Sequence, residues 1–312
     1  MKTSVLMLTY NQERFITQAI DSVLMQRVSE PYEVVIGDDC STDATGAIIR
    51  RYAERYPDLV RPLWTDRNLG MMPNFRRCWE ACRGQYIAVL EGDDYWISPH
   101  KLQRQIDSMD RHPEWSMCFV RVRMVFDDGR PPLEHPAGPQ VPVFTVRELL
   151  ASNPIQPCGV MYRQGVLGAW PEVLDVLALG DWPLGILHAL RGDVGFLDEV
   201  MAVYRQHGAG TWSSKPRDWK VRQSARMFDV IRPQVERGLR DRHLMWTHDV
   251  RWVVWCMEIG WRARARRHAR LCVKESPLRP YSWRLLLWSH LGPLERLLDP
   301  QPAKRREAKT RG

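Results

Sequence analysis

Three apolar runs in the first hundred residues share one pattern: each is short and strand-like, and each ends abruptly in polar or acidic residues. They are Ser4 to Thr9, followed by Tyr10 and Asn11; Glu33 to Gly37, followed by Asp38 and Asp39; and Tyr86 to Leu90, followed by Glu91, Asp93 and Asp94. Between them the apolar residues change period. Phe15, Ile16, Ala19, Ile20, Val23 and Leu24 recur in pairs every four residues, and Ile48, Ile49, Tyr52 and Ala53 share a face, which is helical spacing. A further strand is expected at Val60 to Trp64 and a helix at Asn74 to Cys82. Ser98-Pro99 is expected to open another helix, with Leu102, Ile106 and Met109 on its buried side. Asn11 is the expected cap of the first helix, and Ser41 or Thr42 of the second. A βαβαβαβα order demands a parallel sheet with helices on its faces. All strands of such a sheet end on the same edge, and ligands bind in the crevice beyond those ends. Asn11, Asp38, Asp39, Asp93 and Asp94 are therefore expected on one rim.

Acids gathered on a rim need a reason to be there. Burying a carboxylate without a partner is costly, and adjacent carboxylates repel one another. Two or three of them at strand ends suit a hard divalent cation, Mn²⁺ or Mg²⁺. Such an ion commonly takes one or two protein carboxylates and completes its shell with phosphate oxygens. The expected ligand is a metal-bound diphosphate. Helix capping is the competing role for Asp93 and Asp94, but Ser98-Pro99 already supplies a helix start. Neither G-x-x-x-x-G-K-S/T nor G-x-G-x-x-G follows the first strand, which argues against a P-loop kinase or a Rossmann dehydrogenase. Asn68-Leu69-Gly70 is a turn able to approach a phosphate.

From residue 117 the pattern changes. Met117 to Phe126 reads as a strand with alternating character, closed by a D-D-G turn. A Pro-rich connection leads to a helix at Val146 to Ala151 and a strand at Gly159 to Arg163. A helix is expected from Asp181 to Arg191, then two short strands, Gly195 to Leu197 and Val200 to Arg205. Beyond about residue 215 the reading is helical throughout.

Charge is uneven. The chain carries +8 overall, yet residues 262–312 hold fourteen Arg and Lys against four acids, which leaves −2 for residues 1–261. The main body is thus no polyanion binder, and no nucleic acid partner is expected. The basic end also holds Trp246, Trp252, Trp255, Trp261, Trp283 and Trp288. Trp and Leu beside Arg suit an interfacial helix on an anionic membrane. A helical pair packed on the catalytic domain, with a solvated Arg face, is the other reading, favoured for Trp252 to Trp261. Seven scattered cysteines without a C-x-x-C pair read as core thiols in a reducing compartment. The first apolar run is too short for a signal peptide, and no run approaches the ~18–20 apolar residues of a spanning helix. The expected location is cytoplasmic, with peripheral contact at the inner face of the membrane as an extension.

Five motifs in order, S-V-L-M-L-T-Y-N, V-V-I-G-D-D-C-S-T-D, N-L-G-M-M-P-N-F, A-V-L-E-G-D-D-Y-W and G-D-W…F-L-D-E-V-M-A-V-Y-R-Q-H, span residues 3–212. Together they resemble the inverting, non-processive family 2 glycosyltransferases of the GT-A fold. The resemblance implies an α/β fold, a Rossmann-like, mostly parallel sheet flanked by helices, occupying residues 1–212. A helical appendage at 213–300 and a basic, disordered tail at 301–312 would follow. It implies that Thr9, Tyr10, Asn11, Asp38, Asp39 and Asn68 border the nucleotide, with Asp39 on the base. Asp93 and Asp94 would serve ribose and metal, with Glu91 standing where Asp is frequent. His207 matches a position near the diphosphate or the metal, or else is structural. Asp181 would be the catalytic base, its alternative a plain N-cap, and the helix dipole is expected to lower its pKa. Gly180 stands where Glu is common. Trp212 is either part of a flap or a loop-packing residue. The Q-x-x-R-W signature of processive synthases is absent, which favours transfer of single sugars. The implied donor is a nucleotide sugar, UDP-linked first, and the acceptor a hydroxyl, with lipid-linked glycans of cell-surface polymers as one class. A sugar-nucleotide nucleotidyltransferase and a non-enzymatic basic membrane- or nucleic-acid-binding protein are the alternatives.

Overall fold

The computed structural model describes residues 1–239 and 242–291. Two compact units make up the chain, one of residues 1–238 and one beginning at residue 239. The first contains β1 (Thr3–Thr9), α1 (Ile16–Leu24), β2 (Tyr32–Asp38), α2 (Thr45–Arg55), β3 (Val60–Leu63), α3 (Met71–Ala81), β4 (Tyr86–Glu91) and β5 (Tyr95–Trp96). It continues with α4 (Lys101–Arg111), β6 (Trp115–Phe126), β7 (Leu133–His135), β8 (Val143–Phe144), α5 (Val146–Ala151) and β9 (Val160–Arg163). It closes with α6 (Asp181–Ala189), β10 (Asp193–Gln206) and α7 (Arg217–Gly238).

All ten strands join one sheet, ordered β3-β2-β1-β4-β9-β6-β10-β5, with β7 beside β6 and β8 beside β10. The half built from β3, β2, β1 and β4 is parallel throughout, as the alternating sequence demands. β1 is buried along its whole length, and Val5, Leu6 and Met7 have no exposure. Each such side chain contributes about 1.5–3 kcal/mol, so an unbroken apolar run is what a strand covered on both faces requires. Helix α1 buries Ile16, Ala19, Ile20 and Val23, the stripe its spacing announces.

Beyond β4 the sheet departs from the parallel expectation. β9 inserts antiparallel between β4 and β6, while β6 and β10 run parallel to each other. The result is a mixed, mostly parallel α/β sheet flanked by helices. The two short strands expected at 195–197 and 200–205 are a single strand, β10, because bulges at Leu197/Val200 and Val200/Ala202 break the side-chain alternation without breaking the ladder. Within it Gly195 faces Trp115 so closely that a Cβ would lie 2.0 Å from the indole ring.

Three expected helix starts are also corrected. Asn11 caps nothing, because α1 begins at Ile16 after Phe15. Ser41 and Thr42 are not caps either, since α2 begins at Thr45. Helix α4 starts at Lys101 with His100 at its N-cap position, so Pro99 lies before the first turn. In each case the polar side chain bonds a neighbouring loop or turn instead.

The second unit contains α8 (Arg242–Glu258), α9 (Arg262–Glu275) and α10 (Pro280–Leu291). Trp252, Val253, Cys256, Ala265, Ala269, Cys272 and Leu285 are buried, and Trp252 meets Trp255 edge-on at 5.1 Å. Trp252 and Val253 are thus core residues of this unit. No helix among the described residues is long and apolar enough to cross a membrane. The tail at 301–312 lies outside the described residues. None of the seven cysteines is in a disulfide, and six of them are buried.

Helix α4 carries a buried cation at its first residue. Lys101 has no exposure, donates to Gln105 Oε1 at 2.8 Å and faces the Trp96 ring 4.2 Å from its centroid. Burial pulls its pKa down from 10.5 to about 7. Between those values the unfolded chain holds a proton that the folded chain has released, so stability rises with pH across that window. Below pH 7 the cost is full and constant. Lys101→Met should remove the slope. Denaturation at pH 7 and pH 10 should show the wild type gaining on the variant by up to about 1.4 kcal/mol per pH unit. A constant difference would refute the assignment.

Candidate active site

Parallel pairing sets Thr9 opposite Asp38 and Leu8 opposite Glu91, so the ends of β2, β1 and β4 share one edge. The chain leaves β1 toward β2 and β3, then returns to β4 on the other side of β1. That reversal opens the crevice in which open α/β sheets bind ligands.

On the β2 side two loops are laced together. Asn11 sits in the left-handed region with φ 53°. Its N–H donates to Ser41 Oγ at 2.9 Å, and its Oδ1 accepts from the Thr42 N–H at 2.7 Å. The Gln12 N–H reaches Thr45 Oγ1 and the Ala44 N–H reaches Glu13 Oε2, each at 2.8 Å. Asp38 is buried and accepts from the Ser41 hydroxyl, and burial raises its pKa despite that bond. Asp39 is buried as well. Its two oxygens accept the Leu69 N–H at 2.7 Å and the Gly70 N–H at 2.9 Å, which fixes the turn that carries Asn68. Thr9 is buried and Tyr10 is 45% exposed, so Tyr10 offers an open ring face beside Asn11.

Gly92, Asp93 and Asp94 turn immediately beyond Glu91, the last residue of β4. A Cβ on Gly92 would lie 2.3 Å from Gln12 Oε1 and 2.9 Å from Thr9 Oγ1, so only glycine lets this turn approach the β1 loop so closely. Asp94 is 1% exposed; its Oδ1 accepts the Arg205 N–H at 2.8 Å, and only the weak thiol donor of Cys158 also approaches the carboxyl. The helix-capping alternative for this pair fails, because Asp94 answers to β10 and α4 begins seven residues later. Glu91 Oε2 and Asp94 Oδ2 are buried with no partner. Burial, then the neighbouring Asp93, raises both carboxyls well above their ordinary range. Asp93 Oδ2 stands 2.9 Å from His207 Nε2, and the His207 ring packs on Phe15 at 4.8 Å.

Asp181 is the first residue of α6, and its Oδ2 accepts from Asn153 Nδ2 at 2.6 Å. The dipole effect expected there does not prevail. Burial dominates and raises the carboxyl pKa, with the Asn153 bond opposing it. The Asp181 charge is felt at Glu91, and the Tyr204 phenol feels all four acids, Asp94, Glu91, Asp181 and Asp93. A Cβ on Gly180 would sit 3.0 Å from the Met72 sulfur, a tight contact with a flexible side chain. Trp212 packs edge-on against Trp219 at 5.5 Å, a loop-packing role.

Two residues of this constellation escape a sequence reading. Arg205 stacks on Tyr95 at 4.3 Å and donates to the Asp93 carbonyl and to Gln18 Oε1. Its signal is a cation at the end of a strand that must face acids. Asn153 lies in an irregular segment and leaves no local signal.

No three His, Cys, Asp or Glu side chains among the described residues converge tightly enough to hold an ion by themselves. The donor set is nonetheless that of a hard cation sharing its shell with phosphate: acidic oxygens, two of them buried and unpartnered, beside one imidazole. The residues fit a metal that enters with a diphosphate.

Residues 4–166 match the family described as Glycosyl transferase family 2. An uncharacterized protein of Mycobacterium tuberculosis is 42% identical over 223 residues, covering 70% of this chain and 64% of that protein. The chain therefore spans less than two-thirds of that relative's length. Staphylococcus aureus TarS 1–349 in complex with UDP-GlcNAc superposes with a TM-score of 0.63 at 19% identity, covering 93% of this chain and 89% of that one. The mannosyltransferase PcManGT of Pyrobaculum calidifontis, in complex with GDP-Man and Mn²⁺, gives 0.56 at 14% identity, covering 93% and 84%. At these identities the likeness is one of fold.

Asp39→Asn should set an amide NH₂ against one of the two backbone N–H groups that Asp39 now accepts. The expected cost is about 1–3 kcal/mol, with faster hydrogen exchange at Leu69 and Gly70. Unchanged exchange at both amides would refute the clamp.

Proposed function

The chain belongs to glycosyl transferase family 2, and from that membership we propose that it moves one sugar from a nucleoside-diphosphate sugar to an acceptor hydroxyl, with inversion at the anomeric carbon. The observation that carries this reading is the group of acids at the end of β4, with two buried unpartnered oxygens and His207 beside Asp93, joined by Asp181, a carboxylate from another element whose charge helps raise the Glu91 pKa. One set of acids serves the leaving diphosphate and the other a proton. UDP-sugars are the first donor class, in line with the UDP-GlcNAc bound by TarS, and GDP-sugars the second. Neither alternative class explains the catalytic unit, since family membership makes it a glycosyltransferase.

Each residue then has a task. Tyr10, Asn11, Asp38, Asp39 and Asn68 border the nucleoside, and the laced loops hold Thr9 and the turn at 68–70 in place. Asp93, partly exposed and shared with His207, faces the diphosphate and its ion. Asp94, fully buried, ties that turn to β10. A bound Mn²⁺ or Mg²⁺ would supply Lewis-acid stabilisation of the leaving diphosphate. Asn153 donates to Asp181 Oδ2 and the Trp182 backbone N–H also bonds the carboxyl, so the chain orients the group that is to receive the acceptor hydroxyl. Asp181 takes that proton as the oxygen attacks the anomeric carbon, and the bond to the diphosphate oxygen breaks with its electron pair. A base whose pKa burial has raised is better matched to work near neutrality. The acceptor class we favour is a glycan of a cell-surface polymer, lipid-linked in one form.

Asp181→Asn should lower turnover by about 10²–10⁴-fold while nucleotide binding, read as a Mn²⁺-dependent rise in melting temperature with UDP, persists. Transfer at the wild-type rate would refute the base assignment. Asn153→Ala removes a donor that lowers the Asp181 pKa, so the acid limb of the pH–rate profile should move to higher pH. A limb that stays in place would exclude Asp181 as the titrating base.

A further inference from the structure

We propose that the outer face of α10 is an interfacial surface that seats the second unit on an anionic lipid bilayer. Helix α10 packs through Ser282, Leu285 and Ser289, which are fully buried. Its opposite face exposes large apolar side chains between the polar Arg284 and His290, where a solvated helix would be polar throughout. Trp283 is 50% exposed and Leu287, four residues on and so directly above it, is 58% exposed. Leu278, just before the helix, is 95% exposed. The Trp283 indole N–H donates to the Pro277 carbonyl at 2.9 Å, so its polar atom is satisfied while the ring stays outward. A tryptophan and two leucines are held out in this way by a helix whose own packing uses other residues.

Charge selects the occupant. Residues 262–312 carry fourteen basic against four acidic side chains. Arg284 is exposed beside Trp283, as are Arg279 before the helix and Arg262, Arg267 and Arg270 on α9. Two copies meeting through α10 would bring like charges together. An anionic headgroup layer complements the arginines and accepts the Trp and Leu side chains just below it. The inference does not rest on the sugar-transfer reading, since it concerns another unit and needs no substrate.

The test is co-sedimentation of the full chain with vesicles of phosphatidylcholine alone or with about one-third phosphatidylglycerol, at low and high salt. The chain should bind the anionic vesicles at least about tenfold more tightly, and salt should weaken that binding. The double substitution Trp283→Glu and Leu287→Glu should cut it by a further tenfold or so with the melting temperature unchanged, because both side chains are exposed. Three results would each overturn the proposal. One is absence of binding to anionic vesicles, and another is binding that the double substitution leaves intact. The third is a dimer in solution that the double substitution dissolves, which would assign the face to a second copy.

Discussion

Two carboxylate oxygens, on Glu91 and Asp94, are buried at the end of β4 without a partner. An unsatisfied buried polar atom costs about 1–3 kcal/mol and more when charged, so this cluster would not persist without support. Support comes from the strands beneath. The side chains of β1, β2 and β4 fill the core from both faces, each apolar one contributing about as much as one orphaned oxygen costs. The acids need not stabilise the fold, because the ladder under them does. They are free to be matched to a ligand, and their raised pKa values record how poorly the protein alone satisfies them.

The first hundred residues were legible for a reason of scale. In β1, β2 and β4 the period of two is masked by burial on both faces, but the helices between them keep a clear period, and the alternation alone dictates a parallel rim. The juxtaposition of Asn11, Asp38, Asp39 and Asp93 followed from topology without any knowledge of side-chain contacts. What was illegible depends on geometry that no local period encodes. Asn11 looks like a cap because a cap and a loop clamp use the same side-chain oxygen; the difference is a backbone φ of 53° and a partner loop some thirty residues away. The bulges in β10 disguise one strand as two. At Asp181, dipole and burial act in opposite directions, and only the surrounding structure says that burial prevails.

The acids are also supported from outside the rim. Arg205 gives its backbone N–H to Asp94 and its guanidinium to the Asp93 carbonyl, so one residue fixes both members of the acidic pair while keeping its charge beside them. Its side chain is sandwiched between Phe15 and Tyr95, which orders a long cation at little further entropic cost. His207 extends the same contact from the next inward-facing position of the chain. The far end of β10 is thus as much part of the site as the end of β4.

That placement has a kinetic corollary. Asp94 and Arg205 are 111 residues apart, and Asp93 and His207 are 114 apart. Contacts of such high order close late, because the intervening loop must first lose its freedom. During synthesis and refolding the β1–β4 layer can form early with its acidic end incomplete and the flank beyond β4 uncovered. β9 must arrive before that edge is protected, and β6 keeps its own edge open until β10 pairs with it; unpaired edges of this kind are prone to aggregate. The activity of this chain would therefore appear only with the last strand to dock, and fragments ending before residue 206 would be sticky as well as inert.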